Sequence, residues 1–260
     1  MNPTFDPFAP GAAGSLFLFG ARVSGLVLIA PLFSARPVPA MVRAGLIVAI
    51  TVMLLPVTTI APVPATTVPA VLSEALVGFT IGIGAAFLVG AAEAAGELLG
   101  IQIGLQGSAL VDPLSNQQST ATGQFLQLFA VTLLLTLNAH VVMLDALRSS
   151  AELIPVGTAG HLRDGLWRLV GLGGHLFLLG LRFASPVIGV VLLITIALAV
   201  LSRAAPQLNI LSLAFPVQIL AGLAALLALV PTFASWFLGW EATYESMLSR
   251  VLPAIAGGVR

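Results

Sequence analysis

Cysteine is absent from the 260 residues, which removes disulfides, thiol nucleophiles and iron–sulfur ligation from consideration. Lysine is absent as well: all ten basic residues are arginine, and ten acidic residues balance them. With a net charge of zero, no overall field draws the chain toward nucleic acid or a charged partner. Charged residues make up only 8% of the sequence, against about 25% in soluble domains, so a water-soluble surface cannot be built from it. Nucleophile–base pairs, phosphate loops and zinc motifs are also missing. Neither an enzyme nor a cofactor-binding protein is expected. The opening MNPTFDPFAPGAAG carries no basic stretch before its apolar residues; the first span is expected to serve as its own uncleaved signal.

What remains is oil. Hydrophobic residues account for 58% of the chain, and the mean hydropathy is +1.09, the signature of an integral membrane protein. About 20 apolar residues make one crossing, and apolar runs lie near 11–33, 43–61, 71–106, 124–147, 175–201 and 211–238. Taken strictly, these are six crossings. The arginines in the loops between them do not settle the orientation. The run at 71–106 would reach roughly 54 Å as one helix, at ~1.5 Å per residue, against a core of ~30 Å; it must bend, break or extend past the bilayer. Within it, Gly78/Gly82 and Gly96/Gly100/Gly104 recur at spacings of four, which lets another backbone approach. Pro186, Pro216 and Pro231 fall inside the later runs and should bend them. The stretches 61–69 and 148–168 read as connectors.

Several polar residues sit where lipid would make them costly. Arg22 interrupts the first run, Glu93 and Glu97 share a helix face in GAAEAAGELLG, and Arg182 sits in LLGLRFASP. The two readings are a proton or cation relay and interhelical pairing, with Glu93 and Glu97 facing Arg22, Arg182 or partner subunits. His140 has Asn138 as a polar neighbour and is expected to be hydrogen-bonded; His161 and His175 are not at metal-ligand spacing with it. Trp236 and Trp240 close the last run, where tryptophan favours the interface. The segment SRAAPQLNILSLAFP, residues 202–216, reads as a turn. Arg203 would cap helix-end carbonyls, Pro206 would stop a helix, and Gln207 and Asn209 would satisfy backbone at the tip.

Three ordered stretches together resemble the FliR/SctT family of type III export-gate proteins. RVSGLVLIAPLFSARPVPAMVRAGL (22–46) is similar to the family's opening. The middle, residues 94–147, carries AG, then IQIGL, an Asp-Pro loop and an Asn-x-His; relatives often have Gly-His where this chain has Ala139-His140. Residues 183–223 carry SRAAPQLN and FPVQI. Order and spacing hold from about residue 15 to 240.

The resemblance implies an all-α membrane fold of kinked helical hairpins. A FliP-like part (1–174) would precede a FliQ-like C-terminal hairpin and tail (175–260). It implies a non-enzymatic pore subunit, assembled with FliP and FliQ into a helical hetero-oligomer, beside FlhB, in the bacterial inner membrane at the flagellar basal body. Unfolded flagellar subunits would be its cargo. The loop 107–123 resembles the plug of the closed pore, with Gly107, Asp112, Pro113, Asn116 and Gly123 as candidates. Arg203, Pro206, Gln207 and Asn209 would contact a partner at the hairpin tip. The homologous subunit of a virulence injectisome, with other cargo, and a secondary transporter using Glu93 and Glu97 are the alternatives.

Overall fold

The computed structural model describes residues 11–34, 38–54, 66–104, 120–158, 162–204 and 210–256. These residues form eight α-helices: α1 (Ala12–Ile29), α2 (Ala40–Leu54), α3 (Val68–Ile103), α4 (Ala121–Thr136), α5 (Ala139–Leu153), α6 (Leu162–Ala204), α7 (Ile210–Leu238) and α8 (Trp240–Ile255). No strand occurs among the described residues. Four stretches are long and apolar enough to cross a bilayer: Ala12–Ile29, Val68–Ile103, Gly180–Ala204 and Pro216–Leu238. In lipid the backbone must satisfy itself internally, and these helices do so. The chain is an all-α membrane protein.

Among the described residues, six crossings are therefore too many. The run expected at 124–147 is two helices, α4 and α5, bent by 67° at their junction. Asn138 adopts φ 55° there, a left-handed conformation that asparagine tolerates better than most residues. At 15 residues, α2 is short for a span. The connector expected over 148–168 is mostly helix, since α5 runs to Leu153 and α6 starts at Leu162. Amphipathic periodicity explains α5: Ala139, Met143, Leu147, Ser150 and Ala151 are buried, while Arg148 bonds Asp145 and Glu152 on the outer face. The long run is one unbroken 36-residue helix, α3, so extension beyond the bilayer or steep tilt replaces a break. α6 and α7 continue through Pro186, Pro216 and Pro231.

The chain divides into two compact units. Unit 1 takes Met1–Phe87, Leu134–Gly173 and Gly239–Arg260, and unit 2 takes Leu88–Leu133 and Gly174–Leu238. In unit 1, α1 crosses the first half of α3 in backbone contact. A Cβ on Gly78 would collide with the Arg22 carbonyl, and one on Gly25 with the Ala75 carbonyl. The four-residue glycine spacing thus marks a true close approach. The amphipathic α8 lays Tyr244, Leu248, Val251 and Leu252 inward, and the Tyr244 hydroxyl donates to the Ile81 carbonyl at 2.9 Å. In unit 2, Phe129, Phe183, Phe233 and Phe237 form a chain of ring contacts joining α4, α6 and α7.

Candidate functional site

Two polar constructions stand out in this apolar molecule, one in each unit. In unit 1, Arg22 and Glu74 are both fully buried and meet at 2.6 Å, Nε to Oε2. The remaining donors of the guanidinium are used as well. Nη1 donates to Ser150 Oγ at 3.1 Å and Nη2 to the Ile154 carbonyl at 2.9 Å. The second carboxylate oxygen of Glu74 accepts the Gly157 amide at 2.8 Å, and the Ser150 hydroxyl donates to the Leu147 carbonyl. One ion pair therefore ties α1, α3, the end of α5 and the turn after it. Removing two charges from water is expensive unless hydrogen bonds accompany the pair, and here each guanidinium nitrogen and each carboxylate oxygen has a partner.

This arrangement corrects the pairing expected for Arg22. Its partner is Glu74, not Glu93 or Glu97. Glu74 interrupts the same apolar run, in SEALVG. A third acid in that run was the available signal; the identity of its partner, 52 positions away, was not.

In unit 2, Glu93 and Glu97 do share a face of α3, and both reach α4. Glu93 Oε2 accepts from Gln127 Nε2 at 2.8 Å. Glu97 Oε1 accepts the Thr120 amide at 2.7 Å, immediately before α4 begins. Thr120 Oγ1 accepts the Gly123 amide at 2.9 Å, the geometry of an N-cap. Thr122 Oγ1 donates to the Gly96 carbonyl at 2.8 Å. A Cβ at Gly96 would strike Thr122 and Gly123, and one at Gly123 would strike Glu97. Small residues and two carboxylates thus close a seam between the end of α3 and the start of α4. A carboxylate at a helix N-terminus also faces the positive end of the macrodipole.

The other predicted residues fare differently. Of the plug candidates, Gly123 lies in this seam; Gly107, Asp112, Pro113 and Asn116 lie outside the described residues. Arg203 is exposed in the last turn of α6, while Pro206, Gln207 and Asn209 lie outside the described residues. Arg182 is exposed and pairs with neither Glu93 nor Glu97. His140 is half-buried, and its Nδ1 makes no hydrogen bond among the described residues. Trp236 is 40% exposed and stacks on Phe183. Trp240 is buried against Tyr244. No group of three or more potential metal ligands occurs among the described residues.

Residues 13–241 match the model of the family described as Bacterial export proteins, family 1. The chain is 33% identical over 219 residues to the flagellar biosynthetic protein FliR of Pectobacterium carotovorum subsp. carotovorum, covering 82% of this chain and 84% of that protein. It is 32% identical over 221 residues to the FliR of Escherichia coli (strain K12), covering 82% and 83%. Against the FliR of Caulobacter vibrioides it is 28% identical over 253 residues, covering 95% and 98%.

Proposed function

The chain belongs to the bacterial export proteins of family 1, and from that premise we propose that it is a pore-forming subunit of the flagellar type III export gate. It conducts unfolded flagellar subunits across the bacterial inner membrane at the flagellar basal body. It works there within a hetero-oligomer with FliP and FliQ, beside FlhB. The observation that carries this reading is similarity over more than four-fifths of the chain to proteins named for flagellar biosynthesis. That naming favours flagellar cargo over an injectisome. In this proposal residues 1–174 are the FliP-like part and 175–260 the FliQ-like hairpin and tail. The loop 107–123 is the plug, with Gly107, Asp112, Pro113, Asn116 and Gly123. Arg203, Pro206, Gln207 and Asn209 meet a partner at the hairpin tip.

The chemistry of the site supports a conduit over a solute transporter. Each of the two carboxylates in the α3–α4 seam accepts a hydrogen bond from α4 or the residue that caps it, the work of assembly. The third acid in the run neutralises Arg22. The test is to express the chain with FliP and FliQ, purify the complex gently, and weigh it by native mass spectrometry, alongside export in a deletion strain. One copy of this chain in a large hetero-oligomer, with export restored by the intact gene, is the expected result. Export that survives deletion, or a lone monomer with the partners present but unbound, would overturn the proposal.

A further inference from the structure

Within unit 2, the two ends of the stretch 105–119 are held in different ways. At the first end α3 closes on Ile103, which is fully buried. Its side chain lies against Gly222 of α7, where a Cβ would collide with it. Gly104 follows at φ 84°, the left-handed stop that glycine adopts freely at a helix end. At the second end the seating is polar. Thr120 and Thr122 are buried. The Thr120 amide donates to Glu97 Oε1 at 2.7 Å, and the Thr122 hydroxyl donates to the Gly96 carbonyl at 2.8 Å. Among the described residues no arginine lies within ion-pair distance of Glu97. Gly123 lacks a side chain at the place where a Cβ would strike the Glu97 carboxylate.

We infer that Glu97 is the positioning residue that seats the second end of the 107–123 loop, fixing the point where the chain leaves the loop and enters α4. The inference rests on the plug reading of that loop. A half-buried carboxylate in an apolar helix is costly without a partner, and a charge-assisted bond to a main-chain amide is among the stronger hydrogen bonds. Seated, Thr120 supplies that bond and α4 supplies the positive end of its macrodipole. Released, the carboxylate needs water in their place. The seat therefore holds while the seam is dry and is lost when water enters it. The apolar contact at Ile103 depends on no charge, so the second end is the one that yields. Glu93, four residues before Glu97, accepts from Gln127 further along α4, and keeps α4 against α3 when its first turn lets go.

The experiment uses the full chain in its co-purified complex, reconstituted into vesicles. It reads resting ion conductance, with subunit composition checked by native mass spectrometry. Deletion of 107–119 should leak, which is the plug reading itself. Glu97→Ala is expected to raise resting conductance about tenfold at unchanged composition, the shift that follows from losing one charge-assisted bond. Glu97→Gln keeps an acceptor oxygen and should leak less. Gly123→Ala keeps the acid but pushes its carboxylate off the Thr120 amide, so it should leak as Glu97→Ala does. A tight Glu97→Ala complex beside a leaking loop deletion would overturn the inference and leave the plug reading standing. A tight loop deletion would overturn the plug reading, and the inference with it. Equal leak from Glu97→Gln and Glu97→Ala would also overturn the inference, as would a leak seen only where subunits are lost.

Discussion

Arg22 and Glu74 stand 52 positions apart in the chain and meet at 2.6 Å with no exposure to solvent. Neither is tolerable alone. Removing one partner of a buried pair leaves an uncompensated charge, at a cost of about 3–5 kcal/mol. Glu74→Ala is therefore expected to lower thermal stability in detergent sharply, as is Arg22→Ala. The double change to apolar residues of similar volume, Arg22→Met with Glu74→Leu, should recover most of the loss. Melting of the purified single and double variants checks this, and equal damage from single and double variants would refute it.

The glycine contacts give a contrast. Gly78→Ala should disrupt the α1–α3 crossing, because the new methyl would meet the Arg22 carbonyl rather than a movable side chain. Gly45, in the middle of α2, has open space around it. Gly45→Ala should leave stability unchanged or raise it by about 0.5–1 kcal/mol, the ordinary gain of alanine over glycine within a helix. Protease resistance of the two variants, compared side by side, decides it.

The start of α4 depends on Glu97 and Thr120. Thr120→Ala removes the cap and should cost about 1 kcal/mol. Glu97→Ala should add faster amide exchange at Thr120, while Glu97→Gln keeps an acceptor oxygen and should exchange at an intermediate rate. Hydrogen exchange over residues 120–123 reads all three; identical exchange in Glu97→Ala and the wild type would argue against the seam.

Tyr244 is the only tyrosine in the chain, so its phenolate absorbance reports one group. It lies in α8, outside the candidate spans, and burial pushes its hydroxyl well above the ordinary tyrosine value. The folded state then keeps a proton that the unfolded chain releases near pH ~10. Stability from this source is complete below that pH and is lost as pH rises through it. The phenolate should appear only together with unfolding, and Tyr244→Phe should flatten the alkaline fall. A smooth titration near pH ~10 in the folded protein would contradict the burial.

Much of this architecture follows from composition and spacing. The helical class came from apolar runs, and the shared face of Glu93 and Glu97 from a separation of four. The Gly78 contact came from the small-residue pattern. Long-range choices were not visible in the same way. Arg22 has three acids in the α3 run to choose from, and only the crossing set by Gly25 and Gly78 brings Glu74 into reach. The break at Asn138 carried a local clue, an asparagine amid leucines, but a left-handed residue leaves no periodicity to detect. Helix in 148–168 was hidden for a different reason: Arg148 and Glu152 pair with each other on the outer face of α5, so a solvated helical face looked like a loop.

Unit 1 is assembled from three separate stretches of chain, and its wedge, α8, is the last of them. The Tyr244 hydroxyl meets a carbonyl made 163 residues earlier. At the pace of translation, that carbonyl waits on the order of ten to thirty seconds for its partner to leave the ribosome. During that interval the flank of α3 that α8 later covers has no partner from α8. Damage to α8 should accordingly show first as a short-lived chain, with reduced abundance in the cell, before any defect in what the surviving copies do.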